Sequence, residues 1–169
     1  MKKLLLTFAV VVLAGCGYTP MYANVGDTRL NIQVASVQMR DMETNVGERR
    51  AAQAVRQQLE RTFVAQNGAA YQLRVVLEED LASLAVRDDA TDLRLQLRLR
   101  ADVELHDGEG NLVTGFGTST SASFNVEDSP YSTDAGKLRA RSNAAEALSE
   151  EIIHRVMLYF ARDERQHQE

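Results

Sequence analysis

The chain has 169 residues, a formal net charge of −5 and no tryptophan. An acidic balance argues against non-specific nucleic-acid binding, which needs a basic footprint, and 6% aromatic content leaves no stacking platform for sugars or bases. The length suits one domain with a real core, and a single cysteine excludes an intramolecular disulfide.

The N-terminus reads as an export signal. Met1-Lys2-Lys3 precedes an apolar run from Leu4 to Leu13. As a helix that run reaches about 15 Å, half of a membrane span, so residues 1–15 are expected to be a signal peptide and not an anchor helix. Leu13-Ala14-Gly15-Cys16 fits a lipobox. Small residues before the cysteine admit the lipoprotein signal peptidase, and the thiol is needed for a thioether to diacylglycerol. The plainer reading of Cys16 is an incidental free thiol. Gly17 follows it, with no Asp to hold the protein in the inner membrane, so the outer membrane is the expected address. Cleavage removes two lysines and no acids, leaving 17 basic side chains against 24 acidic ones, a net charge of −7.

Residues 16–29 read as a lipidated tether, interrupted by Gly17, Pro20, Asn24, Gly26 and Asp27. Fully extended, it reaches roughly 40 Å. Leu30, Ile32 and Val34 then alternate with polar or small residues, predicting a first strand ending near Val37. A polar stretch follows from Arg40 to Asn45. From Gly47 the period changes: Ala52, Val55, Leu59 and Phe63 recur every three or four residues, predicting an amphipathic helix closed by Asn67-Gly68. Its arginines read as a solvated face.

Tyr71, Leu73, Val75 and Leu77 predict a second strand, continuing irregularly through Leu81 to Val86, with a turn at Asp88-Asp89. The acids Glu78, Glu79 and Asp80 read as a solvated charge run. The third strand carries the strongest pattern. Leu93, Leu95, Leu97, Leu99, Ala101, Val103 and Leu105 face one way, while Arg94, Gln96, Arg98, Arg100, Asp102, Glu104 and His106 face the other.

Asp107-Gly108-Glu109-Gly110 predicts a hairpin turn, and a fourth strand runs from Asn111 to Val126. Setting His106 opposite Asn111 places Leu105 on Leu112, Ala101 on Phe116 and Leu95 on Ala122. A one-residue slip would set the leucines against glycine and serine. The chosen register puts Arg94, Arg98 and Arg100 beside Ser123, Ser119 and Gly117. After a loop from Glu127 to Thr133, a second helix runs from Asp134, its N-cap, to Arg162. Its apolar stripe is Leu138, Ala145, Leu148, Ile152, Val156 and Tyr159, and residues 163–169 form a polar tail.

The order β-α-β-β-β-α implies an α+β two-layer sandwich: a four-stranded mixed sheet with two helices on one face, over residues 30–162. A strand–helix–strand start favours a parallel, right-handed crossover. No catalytic constellation stands out. His106, His154 and His167 are far apart in sequence, and no zinc, calcium or phosphate-loop spacing is present. Neither an enzyme nor a cofactor is expected. Arg94, Arg98 and Arg100 are the feature above background, since guanidinium groups on a flat sheet suit phosphate or carboxylate. Their other reading is a solubilising row offset by Asp102 and Glu104.

Cys16-Gly17-Tyr18-Thr19-Pro20-Met21-Tyr22 resembles the Cys-Gly-Phe-x-Pro-Leu-Tyr start of the lipopolysaccharide-assembly lipoprotein family LptE. Tyr18 and Met21 depart conservatively. The element order and length are also similar to that family. The resemblance implies a non-enzymatic subunit plugging the outer-membrane barrel LptD, with lipopolysaccharide as cargo. A lipid ABC-transporter auxiliary lipoprotein also joins a lipobox to a small α/β domain, and a lipid-anchored envelope protein without a transport role is a third reading.

Overall fold

The structure, a computed structural model, describes residues 31–40, 46–65, 68–85 and 94–166. The leader, Cys16, the tether, Leu30, Asn67, the Asp88-Asp89 turn, Leu93 and His167 lie outside them. The elements are β1 (Ile32–Met39), α1 (Val46–Thr62), β2 (Tyr71–Ala85), β3 (Arg94–Asp107), β4 (Leu112–Asn125) and α2 (Pro130–Gln166). They form one sheet of order β1-β2-β3-β4, with β1 parallel to β2 and the other pairs antiparallel. The expected α+β sandwich is the fold.

Period-two patterning decides the layers. Leu97, Leu99, Ala101, Val103 and Leu105 of β3 are buried, as are Leu73, Val75 and Leu77 of β2. Ala52, Val55 and Leu59 of α1 and Ala144, Ala145, Leu148, Ile152 and Val156 of α2 complete one core. A buried leucine contributes about 1.5–3 kcal/mol relative to an exposed one, so this row fixes which face the helices cover. In β1 a bulge between Val34 and Ser36 shifts the alternation. Val37 and Met39 thereby pack against the core that Ile32 and Val34 enter.

Helix α1 carries Glu48 in its first turn and Arg61 in its last, both suited to the helix dipole. Gly68 then takes φ +86, and its carbonyl accepts from Asn31 Nδ2 at 2.9 Å. Helix α2 packs against β4 and β3. Gly136 lies against the Phe124 ring, Thr120 Oγ1 donates to the Ala144 carbonyl at 2.9 Å, and Phe160 packs edge-on against Tyr71.

Three expectations need correction. The second helix starts at Pro130, not at Asp134. Proline suits the first helical position because the N–H it lacks has no intrahelical partner there. Thr133 N–H already donates to the Ser129 carbonyl at 3.1 Å, while Thr133 Oγ1 accepts from Glu127 N–H at 2.9 Å. The helix also continues to Gln166, through the first part of the expected polar tail, and Leu138 of its expected stripe is exposed.

Second, the β3–β4 register is offset by two residues. Leu105 faces Thr114, Val103 faces Phe116, Ala101 faces Thr118 and Leu95 faces Phe124. Two one-residue departures add up to that offset. Asp107 N–H donates to the Asn111 carbonyl at 3.0 Å, closing a three-residue loop in which Gly110 takes φ +89. A bulge at Val113 then adds one more residue on β4. Because two shifts of one restore parity, the apolar face survives while every pairing changes.

Third, Glu79 is not part of a solvated charge run. It stands on the helix-covered face opposite Leu99, and both its carboxylate oxygens are held by Arg141 of α2.

Candidate functional site on the open face of the sheet

The helices leave one face of the sheet uncovered, and β3 supplies its central row. Across it, the pairings read Asp80–Arg98–Ser121, Glu78–Arg100–Ser119 and Val76–Asp102–Gly117. Arg94 lies at the end of the row, opposite Asn125. The expected arginines therefore do share one face, with Ser121 and Ser119 opposite Arg98 and Arg100 instead of Ser119 and Gly117. Arg94 still reaches a serine, because its Nη2 donates to Ser123 Oγ at 2.8 Å.

Charge is distributed unevenly along this row. Arg40, just past β1, pairs with Asp102 and lies 3.7 Å from Glu78. Its own N–H donates to the Leu77 carbonyl at 2.7 Å, which fixes it at the sheet's surface. Asp102 is thus occupied by Arg40 and does not neutralise the β3 arginines. Glu104 is held by His106, whose Nε2 lies 3.0 Å from its carboxylate and whose Nδ1 lies 3.2 Å from the Gly110 carbonyl. Neither Arg98 nor Arg100 has a hydrogen bond or ion pair among the described residues. Two free guanidinium groups two residues apart on a strand stand about 7 Å from each other.

A cleft of about 680 Å³ opens beside them, between this face and helix α2, lined by Arg40, Arg100, Ser119, Glu151 and Arg155 among others. Arg155 enters it from α2. It pairs with Glu151 at 2.5 Å, donates to the Gly117 carbonyl at 3.1 Å and sits over the Phe116 ring. Arg40 and Arg155 were invisible as site residues in the sequence, since both belong to other elements than the leucine–arginine strand. The arrangement suits an anionic ligand held by guanidinium forks, with serine hydroxyls alongside. No cluster of three or more metal-ligating side chains occurs among the described residues. No helix there is long and apolar enough to cross a membrane.

Comparison with known proteins follows the folded part. The family pattern described as "LptE: Lipopolysaccharide-assembly" matches residues 29–159, from the start of the sheet to the last turns of α2. That match does not include the Cys16–Tyr22 segment, so the folded domain and the N-terminal motif point to one family separately. No curated protein sequence matches the chain. Among solved structures, a protein described as a lipoprotein from Caulobacter crescentus CB15 has a TM-score of 0.57 at 20% identity, covering 79% of this chain and 93% of that one. A minor lipoprotein from Acinetobacter baumannii has a TM-score of 0.50 at 14% identity, covering 75% and 94%. At these identities the likeness is one of fold.

Proposed function

Because the chain belongs to the LptE family of lipopolysaccharide-assembly proteins, we propose that it is the non-enzymatic plug of the outer-membrane barrel LptD, assisting lipopolysaccharide insertion into the outer leaflet. A role in lipopolysaccharide assembly follows from the family. The narrower reading adds a lipid on Cys16 that retains the protein at the membrane, and a folded domain that does the binding. One observation carries it furthest: the helices cover a single face of the sheet, and the other face presents Arg98 and Arg100 without partners among the described residues.

Lipopolysaccharide carries phosphates and carboxylates, the groups that guanidinium forks bind. In this reading Arg94, Arg98 and Arg100 hold the glycolipid, and Ser119 and Ser121 leave room beside them. Locally, Asp102 and Glu104 are taken up by Arg40 and His106 and Glu78 lies 3.7 Å from Arg40, which leaves Asp80 as the acid opposite Arg98.

Mild detergent extraction followed by co-purification tests the partnership. Recovery of a heat-modifiable barrel of LptD type is expected; recovery of inner-membrane ABC-transporter subunits instead overturns the reading. Replacing Arg94, Arg98 and Arg100 together with Ser should weaken lipopolysaccharide binding and leave barrel recovery intact. Unchanged glycolipid binding would make the row a solubility feature.

A further inference from the structure

Strand β4 ends the sheet, and among the described residues no further strand pairs with its outer edge. Two hydrogen bonds fix which of its backbone groups face outward. Leu77's carbonyl accepts from Arg40, so it points towards β1 and the next β2 residue, Glu78, bonds towards Arg100. Alternation then turns Leu99 and Ala101 towards Thr120 and Thr118 of β4, leaving the odd residues of β4 pointing away. Gly117's carbonyl, which accepts from Arg155, agrees with this. The outward row is Gly115, Gly117, Ser119, Ser121 and Ser123.

Natural edges are normally blocked by lysine, proline, inward charge or a bulge. Within the strand none of these interrupts that row: β4 holds no charged residue and no proline, and its bulge lies at the hairpin end, while α2 reaches the edge through Arg155 at Gly117. Nine residues from Gly115 to Ser123 span about 30 Å of edge that no strand pairs among the described residues, with Arg155 meeting it only at the Gly117 carbonyl. Helix α2 runs alongside it, and clefts follow one another down the seam. One of about 330 Å³ lies between Phe116 and Tyr159, the 680 Å³ cleft follows at Gly117–Thr120, and one of about 570 Å³ lies between Phe124 and Gly136.

We propose that this seam receives an extended, acid-bearing segment of the partner barrel, added to the sheet as a fifth strand against β4. The proposal rests on the barrel partnership put forward above. A row of alternating N–H and carbonyl groups is satisfied by another peptide strand; phosphate cannot donate to the carbonyls. The neutral strand is flanked by arginines on both sides: Arg94, Arg98 and Arg100 on the open face, and Arg139, Arg155 and Arg162 on α2. Glu78, Asp102, Glu127 and Glu151 line the same clefts, but Glu78 and Asp102 lie against Arg40 and Glu151 against Arg155, so the remaining arginines leave the flank cationic. A second copy of β4 would bring two such arginine sets together, whereas acidic side chains on an incoming strand would meet a complementary flank.

Proline at Ser121 is the direct test, because that N–H points outward and its loss breaks no bond to β3. Glutamate at the same position leaves the backbone intact and, facing Arg98 across the strands, takes up a guanidinium that an acidic strand would otherwise meet. Full-length wild-type chain, Ser121→Pro and Ser121→Glu are each extracted from the envelope in mild detergent. Both variants should keep the wild-type circular dichroism and thermal midpoint while recovering at least tenfold less barrel. A Ser121→Pro variant that folds normally and recovers barrel at the wild-type level overturns strand addition, leaving the plug reading in place. If proline unfolds the protein, retention of barrel by Ser121→Glu overturns it equally. Wild-type chain that recovers no barrel overturns both readings. Wild-type self-association abolished by Ser121→Pro would replace the acidic segment with a second copy.

Discussion

Arg141 grips both carboxylate oxygens of Glu79, with Nε donating at 2.7 Å and Nη2 at 2.5 Å, across 62 positions of sequence. Both side chains are more than nine-tenths covered, so β2 and α2 are joined by a desolvated, bidentate ion pair. Glu79 is the principal reason the Arg141 guanidinium holds its proton even more firmly than usual, burial working against it. Such a pair adds little net stability over well-packed apolar residues, but removing one partner strands the other. Glu79→Ala is expected to cost about 3–5 kcal/mol, a drop of about 10 °C in thermal midpoint. The double variant Glu79→Leu/Arg141→Met should recover most of that loss. Thermal unfolding of the three proteins checks it, and a double variant no more stable than Glu79→Ala would refute the stranded-charge explanation.

The same guanidinium constrains the start of α1. A Cβ on Gly47 would lie 1.9 Å from Arg141 Nη1 and 2.6 Å from Cζ. An arginine tip normally moves aside, but this one is pinned by Glu79. Gly47→Ala should therefore destabilise by about 1–3 kcal/mol, as overpacking does, despite alanine's better helix propensity. In an Arg141→Met background the penalty should largely vanish, a coupling that denaturant unfolding measures directly. Equal penalties in both backgrounds would mean the contact is not the cause.

Much of this architecture was legible in the sequence, for reasons that also mark where legibility stopped. The strand from Leu95 to Leu105 declares its faces because side chains alternate regardless of what pairs with it. The arginines could therefore be placed on the open face, although their serine partners could not. Glu79 shares the buried parity of Leu77, yet among Glu78 and Asp80 it looks like one more surface acid. Its partner is a helix residue whose proximity only the tertiary fold creates. Likewise Pro130 resembled a loop residue because proline both ends and begins helices, and only its position relative to the Ser129 carbonyl distinguishes the two.

The β3–β4 turn should respond to acid. Asp107 lies below its ordinary value of 3.8, chiefly because its carboxylate accepts from the Asn111 side-chain amide, with the Asn111, Glu109 and Gly110 N–H groups assisting. A depressed folded-state value means the group's contribution is present above the unfolded pKa and lost as pH falls through the folded one. The Asp107 carboxyl carbon shift should thus stay flat from neutral pH down to the carboxylate range and have its midpoint below 3.8. Asp107→Asn should abolish that titration. A transition centred above 3.8 in the wild-type protein would contradict the turn's hydrogen bonding.

The two-residue offset between β3 and β4 is testable by a disulfide. Arg100 faces Ser119, and because Arg100's peptide groups bond towards β2, this is a non-hydrogen-bonded pair across to β4. Such pairs bring Cα atoms to about 4.5 Å, inside the disulfide range of roughly 4.4–6.8 Å. The register that matches apolar residues directly would instead set Arg100 against Gly117. In the folded pairing those two are diagonal neighbours, about 7–8 Å apart or less at Cβ, too distant for an unstrained bridge. Cys16 is the chain's only cysteine, so a Cys16→Ser background removes competing thiols. There, Arg100→Cys/Ser119→Cys should oxidise spontaneously, and Arg100→Cys/Gly117→Cys should stay reduced under the same conditions. The opposite result would remove both departures, and with them the pairing that sets Ser121 and Ser119 opposite Arg98 and Arg100.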